Sequence, residues 1–337
     1  MSAIREPAVW FPAVRVNTGA DVFMQRLCDG LVAKGIRAEI TWLPHRAEYC
    51  SWTVAVPQPP GWANVVHVNS WLSRRFWPKG LPTVVTLHHL VHDPAHRPYR
   101  SLLQAAYHEL FIRRREWLAI QDADAVITGA DYVKRTITEF SGREQIAVIY
   151  NWVDGGKFAP PDDFVGQGAG PFRLFMAGSH SRRKGFDLLP SFARALGSGF
   201  QIRYAGGNAK LASSIPGVIE LGRISEDALI REYRACDAVV SLSRYEGFGY
   251  TAVEAMACGK PFLGFDTSAL SEVVAPGCGE LVPLDDVEAL AAVAHKLRAV
   301  AAVERQAWSE TGRSLALAKF SQANVDKYIE IYLSLMT

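Results

Sequence analysis

A chain of 337 residues exceeds what one ordinary hydrophobic core organises, so two domains are expected. With 49% apolar and 21% charged residues the composition is globular and excludes a disordered or fibrous chain. A net charge of +2 supplies no field that would make nucleic acid a partner, and no apolar window is long enough to span a bilayer.

The opening residues carry Arg5, Glu6, Pro7 and Pro12 instead of a basic cap followed by an apolar core, so no secretory signal is expected. Cys28, Cys50, Cys236, Cys258 and Cys278 are scattered, with no Cys-x-x-Cys. That pattern suggests neither a disulfide framework nor a zinc site and fits a reducing cytoplasm. Strand-like apolar runs follow at 8–11, 38–43, 65–68, 83–87, 125–128 and 147–149, with helical periodicity between several of them, as at 21–34 before Gly35. Residues 154–171 then concentrate Gly155, Gly156, Pro160, Pro161, Gly166, Gly168 and Gly170, a linker composition. Strand-like runs resume at 173–177, 201–204, 218–221, 238–242 and 261–265. Val325, Tyr328, Ile329, Tyr332 and Leu333 form a final helical stripe. This alternation predicts an α/β protein with two parallel sheets: a first domain at 1–155, a linker at 156–171, a second domain at 172–320 and a C-terminal helix at 321–337 packing across the domains. Ligands of such sheets bind beyond the carboxyl ends of the strands, which places the expected chemistry in a cleft between the domains.

In chain order, the first candidate is Asn17-Thr18-Gly19-Ala20-Asp21, a glycine-bearing helix start or a plain N-cap. Residues 71–79 (Trp71, Arg74, Arg75, Phe76, Trp77, Lys79) and 111–117 (Phe111, Arg113, Arg114, Arg115, Trp117) mix basic and aromatic side chains. Such surfaces suit anionic lipid or a lipid-linked diphosphate, while ordinary basic faces over buried aromatics read alike. His88 and His89 end a strand, with His92 and His96 beyond. Their spacing would suit zinc on a helix, which Asp93 and Pro94 oppose, so no metal is expected. Asp122-Ala-Asp124 reads as a strand entry and Gly206-Gly207 as a turn. Ser181-Arg182-Arg183-Lys184-Gly185, just past a strand, suits a diphosphate or is simply a solvated basic turn.

The densest signal is Glu246-Gly247-Phe248-Gly249-Tyr250-Thr251, followed by Glu254 and then Gly259-Lys260-Pro261. Its order is strand, glycine loop, helix; the glycines admit close backbone approach, and the helix start favours phosphate. Two carboxylates can accept paired hydrogen bonds from vicinal sugar hydroxyls. Thr251-x-x-Glu254 is equally a capping box in isolation.

This Glu-x7-Glu motif, with Glu-Ala-Met-Ala-Cys-Gly-Lys-Pro after it, resembles the signature of glycosyltransferase family 4. Asp124 to Thr128 with Asn151 and Asp154, and Gly222 to Ser225 with Cys236 to Ser241, match the family in the same order along nearly the whole chain. The resemblance implies a GT-B fold of two Rossmann-like domains and a retaining transfer from a nucleoside diphosphate sugar to a glycan or lipid-linked glycan, as in bacterial polysaccharide or glycolipid assembly. It implies that Glu246 and His88 lie by the transferred sugar and that Glu254 binds the nucleotide ribose. Lys184 matches a phosphate-binding lysine, and Gly19 a glycine loop near the donor phosphate. Two departures stand out: Ser179 where members carry Arg, for which Arg182 or Arg183 is the substitute, and Ala20 in place of a second glycine.

Catalysis is thus expected from His88, Glu246 and Lys184, and donor binding from Gly19, Arg183, Lys184, Gly247, Phe248, Gly249, Tyr250, Thr251 and Glu254. No cofactor beyond the sugar nucleotide and no nucleic-acid partner is expected. The expected location is cytoplasmic, at the inner face of the cytoplasmic membrane if the first domain makes a peripheral contact. No covalent nucleophile is evident, which favours same-face attack with electrostatic support of the leaving diphosphate over double displacement. A nucleotide-sugar epimerase or phosphorylase of the same build, and a non-catalytic sugar-nucleotide binder, are the alternatives.

Overall fold

The computed structural model describes residues 6–16, 18–161, 170–206 and 214–336. They form two compact units: Met1–Asn151 with Gln322–Thr337, and Trp152–Ser321.

The first unit is built on β1 (Ala8–Val14), β2 (Arg37–Leu43), β3 (Val65–Asn69), β4 (Thr83–Leu87), β5 (Ala125–Thr128) and β6 (Ala147–Val148). They pair in the order β2-β1-β3-β4-β5-β6, all parallel. All of β4 and four of the five residues of β3 are buried, as a sheet covered on both faces requires, whereas the edge strand β2 keeps polar residues at its margin. The helix Gly19–Ala33 connects β1 to β2. The helices Leu102–Tyr107 and Arg113–Asp122 run on through a π-helical turn, His108–Ile112.

The last helix, Asn324–Ser334, returns to this first unit. Val325, Tyr328 and Tyr332 of the expected stripe are fully buried. A Cβ on Gly30 would stand 2.8 Å from Val325, so the glycine lets the two helices close. The Tyr332 hydroxyl lies 2.6 Å from Nδ1 of buried His67, whose Nε2 is 2.7 Å from Thr86 Oγ1. Burial pushes His67 down to about 3, which keeps this core imidazole neutral.

The second unit carries β7 (Phe172–Ala177), β8 (Phe200–Ala205), β9 (Val218–Gly222), β10 (Ala238–Ser241), β11 (Phe262–Phe265) and β12 (Gly279–Val282). Their order is β12-β11-β10-β7-β8-β9, again all parallel. Its core joins Leu174, Ile202, Val240 and Leu263, on one face of the sheet, to Phe192 and Leu290 of the helices that cover that face; on the other face Phe175 meets the Tyr233 ring at 5.1 Å. Of the expected linker, residues 156–161 belong to this unit: Arg313 donates to Phe158 O at 3.2 Å and to Ala257 O at 2.5 Å. Residues 162–169 lie outside the described residues.

Each sheet reverses its strand order once, between β1 and β3 and between β7 and β10. The loops leaving β7 and β10 therefore emerge side by side at the carboxyl ends, where ligands of open α/β sheets bind.

Candidate functional site

Beyond β10 the chain makes the loop that leads into the helix Tyr250–Ala257. Gly249 precedes that helix with a φ of 103°, and a Cβ there would stand 2.7 Å from Leu270 Cδ2; both the turn and the packing require glycine. No side chain caps this helix start, and an N-terminus of this kind suits an anion. Thr251 sits inside the first turn, not at the cap, so the capping-box reading of Thr251 and Glu254 does not hold. Glu254 is buried, and its Oε2 accepts from the Tyr233 hydroxyl at 2.9 Å, a hydroxyl that Thr251 also bonds. Burial, then the Glu254 charge, pushes the Tyr233 phenol well above its usual range, so Tyr233 stays a donor and orients the carboxylate. Phe248 is buried with its ring edge-on to Tyr250 and Phe320, which shapes the loop around Gly247.

The basic turn follows β7. Gly185 has a φ of 66°, and a Cβ there would lie 1.9 Å from Leu242 O, so only glycine lets this turn touch the end of β10. The contact brings Lys184 Nζ to donate to Glu246 Oε1 at 2.5 Å. Arg183 Nη1 lies 3.9 Å from Glu246 Oε2 and donates to Tyr245 O at 2.9 Å. Burial opposes charge on Glu246, but Lys184 and Arg183 outweigh it and hold the carboxyl below its ordinary range. Ser179 faces Ser181, Oγ to Oγ at 3.3 Å, and Arg182 is exposed, so Arg183 is the arginine that shares Glu246 with Lys184.

One buried residue to which the sequence reading assigned no role ties these loops together. Arg244 donates to Arg182 O at 2.7 Å, to both Asp187 oxygens at 2.7 and 3.0 Å, and to Asp285 Oδ1 at 2.5 Å. Two carboxylates and a carbonyl leave the planar guanidinium little freedom, and the basic turn is thereby fixed against the glycine loop. The Glu246 amide in turn donates to Ser268 Oγ at 2.8 Å. The result is a preorganised cationic turn, a glycine loop, a helix start and two carboxylates, an arrangement able to grip a diphosphate and hydroxyl-rich groups. Arg244 and Tyr233 were not found from sequence. Tyr233 occupies a core position of an ordinary amphipathic helix, and Arg244 shows only as one more basic residue before the motif.

In the first unit, His88 directly follows β4, its ring edge-on to Phe23 with centroids 4.7 Å apart. Burial pushes His88 down to about 4, and Nε2 has no hydrogen-bond partner among the described residues. Gly19 opens the first helix, and a Cβ on it would meet nothing within 4 Å. Thr18 takes the N-cap position without a side-chain bond, Asp21 Oδ2 accepts from Val16 N at 2.9 Å, and Asn17 lies outside the described residues. His92 stands between Glu116 at 3.5 Å and Glu109 at 3.3 Å, while His96 faces Val91 O at 3.5 Å. Among the described residues no three His, Cys, Asp or Glu side chains form a metal-holding group. Asp124 accepts from Thr83 N at 2.7 Å and Asp122 pairs with Arg74 at 3.1 Å, as a strand entry implies. The five cysteines are unpaired.

The fold and the loops of the second unit define a class. Sucrose-phosphate synthase from Thermosynechococcus elongatus superposes with a TM-score of 0.78 at 19% identity, over 98% of this chain and 99% of its own. HepE from Anabaena, in complex with UDP and glucose, gives 0.73 at 17% identity, over 98% and 100%. These likenesses show a GT-B fold. Two family models then match the chain in order: Glycosyltransferase Family 4 over residues 61–156 and Glycosyl transferases group 1 over residues 171–299. The chain belongs to this family, as a glycosyltransferase of GT-B type. D-inositol 3-phosphate glycosyltransferase of Mycobacterium sp. (strain JLS) is 27% identical over 81% of this chain and 70% of its own length. An uncharacterized glycosyltransferase of Methanocaldococcus jannaschii is 30% identical over 49% of this chain, which spans only 46% of that relative. No helix among the described residues is long and apolar enough to cross a membrane.

Proposed function

We propose that this glycosyltransferase moves a sugar, with retention of anomeric configuration, from a nucleoside diphosphate sugar to a glycan or lipid-linked glycan acceptor in polysaccharide or glycolipid assembly. The observation that carries the reading is the Lys184–Glu246 contact at the mouth of the Gly247–Gly249 loop, with Glu254 held by Tyr233 eight positions further on. In this reading the diphosphate sits against Lys184, Arg183 and the helix start after Gly249, the ribose is held by Glu254, and the sugar lies by Glu246. The UDP and UDP-glucose complexes of the Anabaena neighbour favour this donor class.

A departing diphosphate gains negative charge, and a lysine and an arginine already fixed in place stabilise it without reorganising. Glu246 is charged, but it is paired with Lys184 and is not a naked carboxylate. That suits a sugar-positioning group more than a covalent nucleophile, and it favours same-face attack in which the leaving phosphate accepts the acceptor's proton. His88, neutral at physiological pH, is suited to donate or accept a hydrogen bond with a sugar hydroxyl. No metal is required by this scheme. Residues 207–213, beyond β8, lie outside the described residues.

The test is to incubate the protein with UDP-, GDP- and ADP-sugars, with and without acceptor glycans, and follow the anomeric signals by NMR. Retained-anomer product formed only with acceptor supports the proposal. Inverted product removes retention, and conversion of donor alone points to an epimerase.

A further inference from the structure

The helical stretch that runs from Leu102 to Asp122 turns apolar side chains outward. Leu102 is 90% exposed, Leu103 85%, Leu110 72% and Phe111 54%. Within the π-helical turn His108–Ile112, His108 and Ile112 are buried while Leu110 and Phe111 stay exposed. Trp52, 69% exposed, and Tyr49, whose ring lies 5.6 Å from Tyr107, extend the same apolar character from the neighbouring segment. A helix facing only water would carry polar residues here, and a concentration of exposed apolar side chains of this kind marks a binding face.

The surrounding charge is net positive. Residues 97–117 hold five arginines (Arg97, Arg100, Arg113, Arg114, Arg115) and two glutamates. Glu116 is fully buried, accepting from Trp71 Nε1 at 2.9 Å, and Glu109 is bonded to Arg113. Arg97 and Arg114 stay exposed and form no ion pair among the described residues. By contrast, Trp71–Lys79, the other basic and aromatic segment, exposes Arg75 and Lys79 but no large apolar side chain. Phe76 is buried, and Arg74 lies over the Trp77 ring at 4.1 Å and pairs with Asp122.

We infer that this face, Leu102, Leu103, Leu110 and Phe111 flanked by Arg97 and Arg114, docks the first unit onto an anionic lipid surface. The leucines and the phenylalanine enter the interfacial layer and the arginines meet the headgroup phosphates. A second copy of the chain fits poorly, because an isologous contact through this face would bring two arginine-rich faces together. The inference rests on the proposed function only through its lipid-linked acceptor, which would also bring the chain to a membrane.

The test is flotation of the full chain with phosphatidylcholine vesicles, with and without phosphatidylglycerol, for the wild type, the double variant L102Q/L103Q and Arg114→Glu. Both leucines are exposed, so the double variant retains its melting temperature, which serves as the fold control. The expected result is binding to the anionic vesicles only, weakened about tenfold or more by either variant and by raised salt. If the wild type floats and the variants float equally, this face is wrong while the membrane reading stands. If the wild type binds neither vesicle, both fall. A lipid-free dimer abolished by L102Q/L103Q overturns the proposal in favour of self-association.

Discussion

Replacing Lys184 by methionine removes the cation nearest Glu246 and leaves a carboxylate that is 13% exposed with Arg183 alone, 3.9 Å away. Breaking a buried ion pair by deleting one partner costs about 3–5 kcal/mol. The residual exposure of the pair and the remaining arginine reduce this to about 2–3 kcal/mol, a fall of roughly 5–10 °C in Tm for a unit of this size. Glu246→Gln in the same background removes the stranded charge and restores at least half of the loss, because the penalty belongs to the unpaired carboxylate and not to lost packing. The pH dependence carries a sign. In the wild type the Glu246 carboxyl is depressed, so its contribution is present above about pH 4.5 and is lost as pH falls through its lowered folded value. In Lys184→Met burial prevails and the carboxyl rises, so the variant's deficit shrinks on going from about pH 7.5 to 5.5. Calorimetric scans of the four proteins of the cycle at both pH values measure this. Additive losses, with a deficit that does not change with pH, would show that the pair does not hold the two loops together.

Tyr233→Phe removes the hydroxyl donated to Glu254 and should lower stability by about 1–2 kcal/mol; titration with nucleoside diphosphates should show weakened binding while turnover at saturating donor is largely kept. Gly185→Ala forces a Cβ to within 1.9 Å of Leu242 O at a φ of 66°. A loss of about 2–4 kcal/mol is expected, read as a lower melting temperature with reduced donor affinity. His67, held down to about 3, is neutral in the folded chain while its unfolded counterpart protonates near pH 6.5. The folded state therefore binds fewer protons between those values, and stability falls by up to about 1.4 kcal/mol per pH unit below pH 6. His67→Phe should flatten that slope in denaturation curves recorded from pH 7 to 5, and an unchanged slope would move the acid sensitivity to other groups.

Most of the architecture was legible because parallel strands buried on both faces leave continuous apolar runs. Eleven of the twelve strands coincide with such runs, from β1 to β11. The twelfth, Gly279–Val282, pairs only with β11 at the sheet edge and contains glycine and glutamate, so nothing in its four residues reads as strand. The Glu246 loop and the Lys184 turn were legible as motifs, but their meeting was not, because it depends on β7 and β10 being neighbours across the reversal of strand order. Tyr233 was hidden for the same reason: its hydroxyl has meaning only once its helix lies against Glu254. Thr251 and Glu254 show the converse, a spacing that spells a capping box and is used differently, because Gly249 occupies the cap. Of the exposed face, Phe111 and Arg114 were legible as part of a basic and aromatic run, whereas Leu102, Leu103 and Leu110 were not, because the π-helical turn shifts the register on which a periodicity argument depends.

The central claim is that the loops after β7 and β10 form a sugar-nucleotide donor site. Its most direct test is isothermal titration of UDP, GDP and ADP into the wild type and into Glu254→Gln. Saturable binding of one nucleoside diphosphate, weakened about tenfold or more in the variant, is the predicted result. Absence of binding by all three, or binding that Glu254→Gln leaves unchanged, would contradict it.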